Sequence, residues 1–218
     1  MKGLIIKDFL LLKNQKRFFL ILIIIGVFMI FTGVDVTFIS AYITFLVANV
    51  ALSTISYDDY ENSAPYLFSL SVTRKGYVNE KYVFTILCAV GSWLASMLLT
   101  WIYLLVRNQQ AEKGFWISGG TCLLIAIIFI SICLPLWLKL GAEKARLAVL
   151  VIAVAGAMIT VLISKVMDAK TVIPAVESIL EFLEGNLLLT SLGCVVFVML
   201  ILAVSYAISL GIVRKKEY

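Results

Sequence analysis

The chain has 218 residues, of which 62% are hydrophobic and 14% charged, with a mean hydropathy of +1.07. Soluble domains run at roughly 45–50% apolar and about 25% charged, so this balance excludes an ordinary water-soluble globule and predicts an all-α polytopic membrane protein. The net charge of +5 calls for no nucleic-acid partner, since basic residues beside anionic membrane lipid account for it.

Residues 1–17 read as an interfacial helix. Ile5, Phe9 and Leu12 recur at i, i+4 and i+7, with Lys2, Lys13 and Lys16 available to headgroups. The apolar run that follows has no small-residue cleavage site, so it is not expected to be a cleaved export signal. Apolar segments at 18–34 and 36–56 come next, with 83–106, 115–138, 147–164 and 187–213 further on. About 20 helical residues cross a hydrocarbon core of about 30 Å, so six transmembrane helices are expected, the first near the lower limit of length. None of the six contains Asp, Glu, Lys or Arg, and the chain has no His. Ion-coupled carriers normally hold ionisable groups within their spans, which argues against that class.

Between the second and third segments lies the longest charged stretch, 57–82. Asp58 followed by Glu61 forms a pattern that caps helix starts, with Asp59 between them, and Thr73 ahead of Arg74 and Lys75 is placed to cap a second helix. Between them sit Tyr66, Leu67, Phe68, Ser69 and Leu70, apolar and aromatic although in a loop. On physics alone they read equally as a protein contact patch or as an aromatic belt against the inner leaflet.

The spans themselves carry mild polar residues, among them Thr44, Asn49, Ser92, Ser96, Thr100 and Ser131. Hydrogen bonding between helices is their default role; Asn49, Ser92 and Ser96 are the candidates for a polar substrate path, Asn49 first. Cys88, Cys122, Cys133 and Cys194 lie within spans without C-x-x-C spacing, and read as packing residues rather than metal ligands or disulfides. The 165–186 connection holds a short helical pattern with Val176, Ile179, Leu180 and Leu183 on one side and Glu177, Glu181 and Glu184 elsewhere. It is too short to span, so it is expected as an external amphipathic or re-entrant helix, either simply closing the connection or serving as an external gate.

Basic residues give the orientation. Fourteen of the 18 fall in the two termini, the 57–82 loop and the 139–146 connection, against four in the other connections, so both termini and the long loop are expected in the cytoplasm. Catalytic machinery is missing: there is no Gly-Lys dipeptide for a phosphate loop, no His for a zinc protease and no G-x-S-x-G elbow. No catalytic or metal-binding residue is assigned.

The order Ser56-Tyr57-Asp58-Asp59-Tyr60, then Ser69-Leu70-Ser71-Val72-Thr73-Arg74-Lys75, then Val78 and Lys81-Tyr82 resembles the loop between the second and third spans of small type-2 ABC exporter permeases. The Met1–Phe9 opening and the ending from Ser205 and Ser209 to Tyr218 look like the same family, and Ser71 departs from it where Pro is common. The resemblance implies a non-enzymatic membrane subunit of the bacterial cytoplasmic membrane, paired with a second permease as homodimer or heterodimer. A separate cytoplasmic ABC ATPase would bind ATP and Mg. It makes the 57–82 loop a coupling helix, with Asp58, Asp59, Glu61, Tyr66–Leu70, Arg74 and Lys75 at the ATPase contact. Among such permeases are exporters of amphipathic peptides and toxins, so peptide export is expected, with lipid or antibiotic efflux and a non-transporting scaffold or immunity protein as alternatives.

Overall fold

The structure, a computed structural model, describes residues 2–32, 34–60, 73–108, 113–166 and 187–215. Among these residues there are six helices and no strand: α1 Lys2–Asn14, α2 Lys16–Phe31, α3 Val36–Tyr60, α4 Arg74–Val106, α5 Lys113–Val166 and α6 Leu187–Lys215. Four stretches are long and apolar enough to cross a membrane, namely Thr37–Asp58, Arg74–Val106, Gly114–Gly141 and Thr190–Lys215, and the bent pair α1–α2 makes a fifth if taken as one span. The chain is a multi-pass membrane protein, and its spanning elements are helical because a helix satisfies every backbone polar group within one segment.

The break between α1 and α2 falls at Gln15, where the axes turn by 62°. The inward face of α1 differs from the expected Ile5–Phe9–Leu12 stripe. Leu4, Asp8 and Leu12, spaced by four, are the buried residues, while Phe9 is 65% exposed. An acidic side chain turns the helix: Asp8 has a buried ammonium to meet, so Ile6, Phe9 and Leu10 rotate outward, where an apolar surface suits lipid.

The expected 57–82 loop contracts at both ends. α3 continues to Tyr60 and α4 begins at Arg74, so helix takes in Asp58 on one side and Glu80 and Lys81 on the other. Asp58 therefore lies in the last turns of a helix and does not cap the start of one. Thr73 does cap α4: its backbone is extended (φ −73°, ψ 143°) and its Oγ1 accepts from the Gly76 amide at 3.1 Å. A side chain at residue 76 would crowd that bond, since a Cβ there would lie 2.9 Å from the Thr73 hydroxyl.

The fourth and fifth expected segments belong to one run, α5, with a single-residue break at Gly141 (φ 73°, ψ 174°) in place of a loop. That conformation is open to glycine and costly for other residues. α3 packs against α4 and α5, α5 against α6, and α1 lies across α3 and α4. The main core joins Leu52 and Ile55 of α3, Val78 and Tyr82 of α4, Leu134 and Trp137 of α5, and Val213 of α6. Ala48, Ala51 and Ala89 are fully buried and let the backbones of α3 and α4 approach closely. A second apolar cluster of Leu12, Ala51 and Phe84, with Cys88 against it, seals α1 to the α3–α4 pair.

Candidate functional site

Charged side chains meet where α1 crosses the end of α3 and the start of α4. Lys81 of α4 is wholly buried and is the largest fully buried side chain among the described residues. Its Nζ lies 2.5 Å from Asp8 Oδ2 of α1 and 2.8 Å from Asp58 Oδ2 of α3. Lys7 of α1 pairs with the other oxygen of Asp58 and lies 3.4 Å from Asp8 Oδ1. Tyr77, one turn before Lys81, donates its hydroxyl to Asp58 Oδ2 at 3.1 Å, and the Lys81 ammonium sits 5.5 Å from its ring centroid. Thr54, one turn before Asp58, donates to Asp8 Oδ2 at 3.3 Å.

Helical spacing makes this arrangement possible. Thr54 and Asp58 on α3, and Tyr77 and Lys81 on α4, are i, i+4 pairs, so each helix offers two polar groups one above the other on the same face. Because α3 and α4 run antiparallel around the connection, the end of one faces the beginning of the other. The result ties three helices together at the root of the segment joining α3 to α4. A charge this deeply buried is tolerated only with partners, so removal of Lys81 would leave Asp8 and Asp58 without their shared cation.

An adjacent face of α4 carries a neutral network. Tyr82, the residue after Lys81, has its hydroxyl 2.6 Å from Ser205 Oγ and 2.9 Å from Ser209 Oγ of α6. Ser205 in turn donates to the Ser131 carbonyl of α5 at 2.5 Å. Tyr206 donates to Asn79 Oδ1 at 2.5 Å and stacks edge-on against Tyr82. Arg74 donates to the carbonyls of Val213 and Arg214 at 3.3 and 2.5 Å, closing the C-terminus of α6 onto the first turn of α4.

A family model described as ABC-2 family transporter protein matches residues 3–214, so it spans every residue of both networks. The chain belongs to the ABC-2 transporter family. Among curated proteins and among solved structures, nothing matches. An ABC-2 family member is a membrane component of a type-2 ABC permease, a transport subunit.

In this ABC-2 protein, the residues singled out from sequence fall into four groups. Asp58 and Arg74 are engaged within the bundle: Asp58 is 2% exposed among lysines, and Arg74 is spent on α6 carbonyls although its own surface remains exposed. Lys75 is exposed. Asn49, Ser92 and Ser96 bond carbonyls of their own helices, at Phe45, Ala89 and Trp93, over 2.9, 3.0 and 2.8 Å. Glu61, Tyr66, Leu67, Phe68, Ser69, Leu70, Val176, Ile179, Leu180 and Leu183 lie outside the described residues, as does the side chain of Asp59.

Asp8 and Lys81 stand in the family-like stretches, but neither they nor Glu80 are candidate site residues by sequence. Glu80 and Lys81 stand just before the 83–106 run, and Asp8 lies within the 1–17 segment read as interfacial. The legible signal was Asp8 at the centre of a Leu4–Leu12 spacing, an acid on a face otherwise fit for burial.

Proposed function

We propose that this protein is the six-span permease subunit of an ATP-driven exporter in the bacterial cytoplasmic membrane, with both termini cytoplasmic. In this reading the sixth span is the limb of α5 beyond Gly141. A separate ABC ATPase holds ATP and Mg and docks on the segment between α3 and α4, chiefly at Tyr66–Leu70. A second permease copy, identical or similar, completes the path. The family match supports the subunit class, and the buried ionic cluster carries the mechanistic reading.

The two helix ends that flank the docking segment are joined to each other and to α1 through Asp58, Lys81 and Asp8. A push on the segment therefore moves α1, α3 and α4 as one body instead of being absorbed by a flexible root, the kind of rigid-element shift that switches transporters between states. The cargo proposed is an amphipathic molecule, with peptide ahead of lipid or antibiotic. The described parts of the spans offer a mostly uncharged surface, and the mild hydroxyls of Ser92 and Ser96 are bonded to their own backbones, so such a cargo would move without stripping charge from water. Asn49 and the 176–183 segment remain the proposed lining and gate.

Co-purification with an ABC ATPase, followed by hydrolysis assays in lipid nanodiscs with and without amphipathic peptides, tests the reading. Complex formation and peptide-stimulated hydrolysis are expected. A complex whose hydrolysis responds to no cargo and moves none across a vesicle membrane would leave a scaffold. Replacing Leu67, Phe68 and Leu70 together with Asp is expected to abolish ATPase binding while insertion persists; unchanged binding returns those side chains to the inner leaflet.

A further inference from the structure

The ionic cluster does not balance if all its members are charged. Among the described residues, Lys7 and Lys81 supply two positive charges, whereas Asp8, Asp58 and Glu80 supply three negative ones. The carboxylates are unequally served. Asp58 receives Lys7, Lys81 and Tyr77, and Asp8 Oδ2 receives Lys81 and Thr54. Glu80 is 2% exposed, and among the described residues neither of its oxygens has a hydrogen-bond partner and its nearest cation is Lys81 Nζ at 3.9 Å. Asp8 Oδ1, which meets the same ammonium through its other oxygen, also lacks a hydrogen bond.

An ionised carboxylate with no donor in a buried site is very unfavourable, and such a group takes up a proton instead. One proton removes the surplus charge and converts an orphaned acceptor into a donor. We propose that Glu80 is a proton-binding site, and that its proton, shared toward Asp8, belongs to the docked state of α1. The other ionisable groups of the cluster among the described residues are Lys7 and Asp8 from α1, Asp58 from α3, and Tyr77 and Lys81 from α4 itself. Withdrawal of α1 takes Asp8 away and admits water, so Glu80 ionises as α1 leaves. Proton release and α1 release are thereby linked, and each favours the other. The site concerns the cluster alone and stands whatever the protein transports.

The purified chain in lipid nanodiscs provides the test. Infrared spectra at neutral pH are expected to show the carbonyl stretch of a protonated carboxylic acid, shifted by deuterium exchange and by carboxyl-labelled glutamate, and lost at alkaline pH. Asp8→Asn leaves two ammonium groups facing Asp58 and an ionised Glu80, a balanced set, so the band is expected to vanish at neutral pH although Glu80 is still present. Glu80→Gln is expected to lack the band. It should also lose one component of the native chain's pH dependence: the folded state holds a proton that the unfolded chain has released, so the Glu80 contribution to stability is full in acid and falls as pH rises until Glu80 ionises. A band that ignores glutamate labelling, its absence from the native chain at neutral pH, or an unaltered pH slope in Glu80→Gln overturns the proposal. If Glu80→Gln fails to fold, the labelled Asp8→Asn chain carries the test: a glutamate band that persists there at neutral pH overturns the proposal.

Discussion

Lys81 and Tyr82 are neighbours on α4, yet they anchor separate seams built on different physics. On one side Lys81 joins α1 and α3 through buried charges; on the other Tyr82 joins α6, and through Ser205 α5, by neutral hydroxyl bonds. A neutral network loses one bond at a time, and its hydroxyls readily find other partners. An ionic network fails sharply when its shared cation goes, because the buried carboxylates are tolerated only through it. The seam at α1 is thus the one suited to two distinct states, docked and released, and the α4–α6 seam is suited to holding a fixed wall.

The sharpest way to break this contrast is Lys81→Met, which leaves Asp8 and Asp58 buried without their shared cation. It is expected to cost about 3–5 kcal/mol, the loss typical of removing one partner from a buried pair, read as a large drop in thermal unfolding temperature in nanodiscs. Asp8→Asn is milder, since Lys81 keeps Asp58, but it should loosen α1. Cys88 lies partly buried against the Leu12–Ala51–Phe84 cluster, so in a chain with Cys122, Cys133 and Cys194 replaced by Ala its thiol labelling should accelerate several-fold. Labelling at the native rate would mean that apolar packing alone docks α1.

Tyr82→Phe removes the hydroxyl shared with Ser205 and Ser209 and is expected to cost about 1 kcal/mol, with Cys88 labelling unchanged. Equal losses for Tyr82→Phe and Lys81→Met would erase the distinction between the seams. Ser92→Ala lies at the bottom of the scale, within about 0.5 kcal/mol, because Ser92 bonds only its own helix among the described contacts.

Some of this was legible in advance because it depends on local chemistry. The Thr73 cap could be read from one hydroxyl ahead of a helical run, and it formed as expected. The helical class and membrane location followed from apolar run length. Other features needed distant residues. The rotation of α1 depends on Lys81, 73 positions away from Asp8, and no periodicity within residues 1–17 contains that information. Ser205 and Ser209 stood out only as part of a family-like ending; their shared partner Tyr82 lies 123 and 127 residues earlier. The spacing of charges predicts a connection at 139–146, and the positive φ of Gly141 replaces it with a single-residue break.

The sequence by itself determined that this chain must live in lipid as helices, since hydrocarbon accepts no other way of satisfying its backbone along such apolar runs. Only the tertiary structure decided what the few charges near the span ends are for. Burial of a charge is set by which opposite charges the fold delivers to it, and here three helices far apart in sequence deliver Asp8, Asp58 and Lys81 to one point.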